Sequence, residues 1–201
     1  NSVKALLTWN EKFSAHRFLD WALPALISES EEIWKAFFHQ HRTNKIIAKP
    51  AANAASRGVL LLPSRWSQAR ATLLALQKEN GPWLILQEFD ESIYDQGETR
   101  IFIIAGKIKG ILKKFPHPKS PIMNLDQAIK PSLSLGNLTR KQKIRASFVA
   151  NVLHQAGVML STIDFIGDRI LEINITSPGL IRWLDENANT RLAIDYWKAV
   201  I

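Results

Sequence analysis

The sequence predicts an α+β fold, in which helices and short strands follow one another without the regular strand-helix alternation of a parallel sheet. Three observations lead there. Apolar residues recur at helical spacing in some stretches and form runs of strand length in others, and two pairs of those runs are joined by the turn-forming dipeptides Ala105-Gly106 and Gly167-Asp168. A chain of 201 residues is long enough for one large domain or two joined lobes. Its 46% apolar and 22% charged residues are an ordinary globular balance, which excludes a disordered tail or a fibre.

Ser28 followed by Glu31 has the spacing of a capping box, and Ile33, Trp34, Phe37, Phe38 and His41 then recur at helical intervals, predicting a helix over about 30–41. Residues 45–49 and 58–62 read as strands on either side of a loop. Pro63-Ser64 opens a helix that Asn80-Gly81 closes. The runs 83–89, 99–105 and 108–115 suit a small antiparallel sheet. Residues 116–138 hold four prolines and Gly136 with little periodicity, which predicts a long loop or lid. Thr139 then caps a helix with Ile144, Phe148, Val152 and Leu153 as its apolar face, ending at Gly157. Strands over 158–165 and 169–175 and a helix over about 190–200 complete the chain.

No stretch reaches the ~18 apolar residues of a membrane span, so no membrane partner is expected. The formal charge of +8, from 26 basic and 18 acidic residues, points to an anionic partner. Nucleic acid is set aside, because the seven tryptophans are scattered rather than interleaved with Lys and Arg on one platform. The absence of cysteine excludes a disulfide framework, a thiolate metal site and a cysteine nucleophile, and it fits the cytoplasm. Asn1 rather than Met at the start suggests that an N-terminal part has been removed.

The segment from Ser161 to Gly179 carries the most chemistry. It reads as a hairpin, and a three-residue loop centred on Asp168 sets Asp164 across from Glu172, with Asn174 on the same face. Leu171, Ile173 and Ile175 then point to the other, apolar side, with Ile163 and Phe165. Two carboxylates and an amide oxygen suit a hard cation such as Mg²⁺. The same alternation also describes a plain half-exposed strand.

Asp164-Phe165-Ile166-Gly167-Asp168-Arg169, followed by Glu172-Ile173-Asn174-Ile175-Thr176-Ser177-Pro178, resembles the C-terminal signature of prokaryotic glutathione synthetase, of the ATP-grasp superfamily. Asn10-Glu11-Lys12, Ile46-Ile47-Ala48-Lys49-Pro50, Gln87-Glu88-Phe89 and Gly97-Glu98-Thr99-Arg100 are similar to that family's landmarks in the same order. The resemblance implies an ATP-grasp fold, two α+β lobes with ATP between them and Mg²⁺ on its phosphates. It implies a leading helical part over 1–42, a smaller lobe and hinge over 43–90, and a larger lobe over 91–201 with the lid at about 116–138.

By the same resemblance, Asp164, Glu172 and Asn174 bind metal, and Asn174 also belongs to the nucleotide site. Lys49 reaches the ATP phosphates, and Gln87, Glu88 and Phe89 meet adenine. Arg100 and Lys114 are catalytic, and Ser177, Pro178 and Gly179 line the substrate site. From the residues alone, Lys49 could equally be a solvated strand end, Gln87 to Phe89 a core strand with a polar end, and Arg100 and Lys114 solvated charges. The implied activity is an ATP-dependent carboxylate-amine ligase joining γ-glutamylcysteine and glycine through an acyl phosphate, with a small, peptide-like substrate. The matched region begins after the family's N-terminal substrate domain, so that domain or a partner chain is expected elsewhere and the fragment alone is expected to be inactive. A homo-oligomer is also open to it. Ala51-Ala52 and Ala54-Ala55 stand where the family has adjacent glycines, and Lys114 stands where it usually has arginine. These departures motivate an alternative, a noncatalytic or divergent ATP-grasp nucleotide-binding protein with another peptide-like substrate or a scaffold role.

Overall fold

The computed structural model describes residues 1–52, 57–117 and 131–201. The chain begins with helices α1 (Val3–Thr8) and α2 (Glu11–Ser14) and a 3-10 turn, Ala15–Phe18, and continues through β1 (Ala25–Ser28), α3 (Glu31–Gln40), β2 (Ile46–Pro50) and β3 (Leu60–Leu61). Next come α4 (Trp66–Asn80), β4 (Leu84–Glu88), α5 (Ile93–Gln96), β5 (Glu98–Ile104) and β6 (Lys107–Phe115). The last elements are β7 (Ser132–Leu135), α6 (Arg140–Gln155), β8 (Leu160–Ile166), β9 (Arg169–Asn174), α7 (Ile181–Ala188) and α8 (Leu192–Val200). Among the described residues no helix is long and apolar enough to cross a membrane.

Two compact units result, the smaller holding Leu23–Tyr94 and the larger holding Asn1–Ala22, Asp95–Phe115 and Leu133–Ile201. In the smaller unit a four-stranded antiparallel sheet runs β1-β4-β2-β3. Ile46, Ala48, Leu84 and Leu86 on one face bury against Trp34, Phe37 and Phe38 of α3 and Ala69, Leu73 and Leu76 of α4. Alternation sends Lys49 and Gln87 to the opposite face. Strand β1 was not expected, because Ala25–Ser28 is four residues long and lies directly after Pro24.

The larger unit is built on the order β7-β6-β5-β8-β9. Ala105 (φ 48°) and Gly106 (φ 73°) make the two-residue turn between β5 and β6, both in the left-handed region that this hairpin turn requires. One face of the sheet buries Ile101, Ile103, Ile163, Phe165, Ile170 and Ile173 against α1, the 3-10 turn and α6. Each such fully buried side chain contributes about 1.5–3 kcal/mol. On the other face Phe102, Ile104 and Leu112 lie under Leu184 of α7 and Leu192 of α8.

Four expectations change. Part of the expected 116–138 loop is β7, whose Ser-Leu-Ser-Leu alternation is flanked by a proline; residues 118–130 of that loop, like 53–56, lie outside the described residues. In α6 the buried side chains are Gln142, Ala146, Val149, Ala150 and Leu153, whereas Ile144 and Phe148 are exposed. The small alanines let the helix lie close to the sheet, so the largest apolar residues do not mark its buried face. Helices α5 and α7 also form where no helix was expected. Finally, the 164–174 hairpin turns on two residues rather than three: Ile166 pairs with Arg169, and a bulge between Asp164 and Phe165 leaves Leu171 as the extra residue. The bulge restores the pairing of Asp164 with Glu172 and puts Ile170 rather than Leu171 into the core.

Candidate functional site

In the larger unit the register lines up Arg100 of β5, Asp164 of β8 and Glu172 of β9 as successive cross-strand partners. Glu98 lies opposite Lys114 of β6, and Asn174 lies opposite Thr162. Since side chains at i and i+2 share a face, Glu98, Arg100, Lys114, Thr162, Asp164, Glu172 and Asn174 form one polar patch on the sheet face whose apolar half is covered by α7 and α8.

The patch is closely paired. Arg100 donates from Nε to Asp164 Oδ1 at 2.8 Å and from Nη2 to Oδ2 at 2.6 Å. Asn174 donates Nδ2 to Asp164 Oδ2 at 3.2 Å, and Lys114 Nζ lies 3.7 Å from that oxygen. Lys114 also forms an ion pair with Glu98. Glu98, Arg100, Lys114 and Asp164 are all buried. Burial pushes the Asp164 carboxyl up, but the charges of Arg100 and Lys114 outweigh it and hold the group down at about 2. Burial, assisted by the Asp164 charge, pushes Glu98 up to about 7 against the pull of Lys114 and Arg100. For Arg100 the Asp164 charge overcomes burial and raises the pKa further above its ordinary value. Deep in the sheet, therefore, Asp164 is the permanent anion and Glu98 carries a proton part of the time.

Helix α2 grips the end of β9. Asn10 caps it, accepting from Lys12 N at 2.9 Å. The next residue, Glu11, accepts on Oε1 from Ile175 N at 2.8 Å, Thr176 N at 2.6 Å and Thr176 Oγ1 at 2.5 Å. Lys12 Nζ donates to Glu172 Oε1 at 2.6 Å. The turn that follows holds Ser177, Pro178 and Gly179; Ser177 and Gly179 are exposed, and Arg100 Nη1 approaches Gly179 O at 3.5 Å. Leu180, at φ 76°, then leads into α7.

In the smaller unit Lys49 Nζ donates to Gln87 Oε1 at 3.0 Å on the sheet face away from α3 and α4. Glu88 does not share that arrangement. Its Oε1 meets His41 Nδ1 at 2.6 Å and accepts from Asn44 Nδ2 at 2.7 Å, so its carboxylate is fixed just beyond the end of α3. Phe89 donates its backbone N–H to Lys45 O at 2.8 Å, and its ring sits edge-on to Tyr94 at 5.9 Å.

The expected residues thus fall into two groups. Arg100, Lys114, Asp164, Glu172 and Asn174 are brought together in the larger unit with the 177–179 turn alongside, and Lys49 and Gln87 meet in the smaller. Among the described residues no cluster of three or more His, Asp or Glu side chains gathers as a metal cage. The oxygen donors are two carboxylates and one amide. Three residues that were not singled out take part: Glu98 belongs to the patch, Lys12 pairs with Glu172, and Glu11 holds the residues just after β9 through Ile175 and Thr176. Each lies inside a quoted landmark, Asn10-Glu11-Lys12 or Gly97-Glu98-Thr99-Arg100, which is the signal that could have found them.

Comparison with known proteins bears on the family and the fold. The family model of the prokaryotic glutathione synthetase ATP-grasp domain matches residues 11–189. Glutathione synthetase of Parasynechococcus marenigrum (strain WH8102) is 27% identical over 194 residues, covering 96% of this chain and 61% of its own length. That of Nitrosomonas europaea is 26% identical, covering 96% and 59%. The chain therefore spans about three fifths of the length of the curated relatives it matches. Among solved structures, D-cycloserine synthetase DcsG has a TM-score of 0.70 at 19% identity, covering 97% of this chain and 70% of that one. The ATP-grasp ligase PsnB, in a complex with Mg and ADP, has a TM-score of 0.69 at 16% identity, covering 99% and 60%. D-alanine–D-alanine ligase from Bacillus anthracis has a TM-score of 0.68 at 13% identity, covering 99% and 67%. The fold is an ATP-grasp α+β fold, and the chain belongs to the prokaryotic glutathione synthetase ATP-grasp domain family.

Proposed function

We propose that the chain is the ATP- and Mg²⁺-binding part of an ATP-dependent carboxylate-amine ligase, joining γ-glutamylcysteine and glycine through an acyl phosphate. The observation that carries this reading is the cross-strand row Arg100, Asp164, Glu172 with Asn174 beside it, in a chain of this family.

The donor set fits Mg²⁺. Asp164 stays ionised at neutral pH because its pKa lies at about 2. Asn174 turns its Nδ2 toward Asp164, which leaves Oδ1 on the other side of the amide as a neutral oxygen donor. The buried Thr162 hydroxyl, on the same face, has no hydrogen-bond partner among the described residues, which suits a site completed by something polar. We assign the metal to Glu172, Asn174 and Asp164, where it would screen phosphate charge as the phosphoryl group moves.

The chain's own residues then have distinct tasks. Arg100 spends Nε and Nη2 on Asp164, so its guanidinium is locked in orientation, and its remaining N–H groups stabilise negative charge as the substrate carboxylate attacks the γ-phosphorus and ADP leaves. The amine then attacks the acyl carbon, the carbon–oxygen bond to phosphate breaks, and phosphate departs with the electron pair while the amine loses a proton. Lys114, clamped by Glu98, keeps a fixed positive charge beside these atoms. The exposed Ser177, Pro178 and Gly179 turn contacts the peptide-like substrate, with Glu11 anchoring its base. Lys49 contacts phosphate, and Gln87, Glu88 and Phe89 meet adenine, Glu88 with its carboxylate already held by His41 and Asn44. Because the chain spans about three fifths of the length of its relatives, we assign the rest of the substrate site to a further domain or a partner chain.

A second reading, a noncatalytic ATP-grasp nucleotide binder, is favoured by Ala51-Ala52 replacing flexible glycines in the phosphate loop. Full-length protein supplied with Mg·ATP, γ-glutamylcysteine and glycine separates the two. ADP release dependent on both substrates supports the ligase, and Mg·ATP binding without ADP release on these or other dipeptides supports the binder.

A further inference from the structure

We propose that Lys12 is a resident counter-cation of the metal site, holding the Glu172 carboxylate until a divalent cation displaces it. The proposal rests on the reading of Glu172 as a metal ligand. Among the described residues, the carboxyl groups of Glu98, Asp164 and Glu172 on the polar patch face the cations Lys114, Arg100 and Lys12. An incoming Mg²⁺ must compete with those cations for carboxylate oxygen. The pairs differ in how readily they can yield.

Arg100 is locked on Asp164 by two hydrogen bonds, with side chains 8% and 1% exposed, and Lys114 with Glu98 is 3% and 5% exposed. Breaking either would strand a charge in the interior. Lys12 and Glu172 are 17% and 20% exposed and share one hydrogen bond at 2.6 Å, so this pair is open to water and to an ion. The backbone under Lys12 does not have to move for the exchange. Asn10 caps α2 and Glu11 binds β9 through Ile175 and Thr176, while the lysine itself swings on a four-carbon stem. Asn174, two residues after Glu172 on the same strand face, offers its amide oxygen to the cation that replaces the ammonium. Among the described residues, α2 is thus firmly fixed while Lys12 is the flexible cation on Glu172, the most exposed of these carboxyl groups.

The test is binding of Mn²⁺ alone to the nucleotide-free full-length protein, followed by electron paramagnetic resonance, for the parent and for Lys12→Met, Lys12→Gln, Lys12→Arg and Glu172→Gln. Circular dichroism confirms that each is folded, and the Met and Gln variants serve as independent removals of the charge. Removing the competing ammonium is expected to tighten Mn²⁺ binding by about threefold or more, the scale of a partly exposed ion pair. Lys12→Arg is expected to bind Mn²⁺ no better than the parent, and Glu172→Gln to bind it more weakly. If Glu172→Gln weakens Mn²⁺ binding while both charge-free variants leave it unchanged or weaker, the exchange is overturned and Glu172 stands as a ligand. If Glu172→Gln has no effect, the metal reading itself falls and the exchange falls with it.

Discussion

Arg100 and Asp164 are register partners on adjacent antiparallel strands, and their side chains close into a bidentate pair at 2.8 and 2.6 Å in the interior of the sheet. Neighbouring strands thereby share a single charge-neutral unit. Removing either half leaves the other as an uncompensated buried charge. Arg100→Met is expected to lower unfolding stability by about 3–5 kcal/mol, measured by urea titration. A loss under 1 kcal/mol would mean that the pair is solvated and that the register carries little of the site.

Stability should depend on pH through two carboxyls of opposite behaviour. Asp164, held at about 2 against an ordinary 3.8, contributes stability that is present above its unfolded pKa and lost as pH falls toward 2. Glu98, raised from 4.5 to about 7 by burial and by Asp164, contributes stability that is fully present below 4.5 and lost as pH rises through about 7. The groups facing Glu98 are Lys114 on β6, Arg100 on its own strand and Asp164 on β8. Metal-free protein should therefore lose stability between about pH 4.5 and 7, and Glu98→Gln should flatten that decline. An unchanged decline in Glu98→Gln would place the titrating group elsewhere.

Gly97, which leads into β5, has φ 70°, and a Cβ there would come within 2.9 Å of Lys114 O. Alanine would face both the left-handed backbone penalty of about 1–2 kcal/mol and a clash with the strand that carries Lys114. Gly97→Ala is expected to lower the unfolding free energy by at least about 1 kcal/mol. Parental stability of that variant would show that the strand entry is not constrained.

Some of this was legible from residue pattern. Gly167 (φ 53°) with Asp168 marks the hairpin turn, and period-two alternation put Asp164, Glu172 and Asn174 on one face. The bulge at Leu171 was not, since nothing in Arg169-Ile170-Leu171 distinguishes two residues of turn plus a bulge from a three-residue loop. Helix α6 was found through its Thr139 cap, which the structure completes into a capping box with Gln142, but its buried face was misread because Ala146 and Ala150 are buried while Ile144 and Phe148 stay exposed. Lys12 and Glu98 could not be paired with Glu172 and Lys114 from spacing: the first pair is 160 residues apart, and the second depends on the β5–β6 register. Long-range pairing is the information that local periodicity does not hold.

Glu11 takes three donors at the junction of β9 and the 177–179 turn. Glu11→Ala is expected to raise amide hydrogen exchange at Ile175 and Thr176 about tenfold, as one charge-assisted anchor worth ~1.5 kcal/mol is lost. Unchanged protection at those two amides would mean that β9 alone holds the turn.

The central claim is that Glu172, with Asp164 and Asn174, binds the metal that productive ATP binding needs. Asp168 provides the contrast: it sits at the hairpin turn, where it accepts from Thr139 Oγ1 at 2.8 Å and its backbone carbonyl accepts from Arg145. Calorimetric titration of Mg·ATP into the parent, Glu172→Gln and Asp168→Ala proteins tests the claim most directly. The account predicts at least about a tenfold loss of affinity for Glu172→Gln, equivalent to about 1.4 kcal/mol, and near-parental affinity for Asp168→Ala. Parental affinity in Glu172→Gln, or a larger loss in Asp168→Ala, would contradict it.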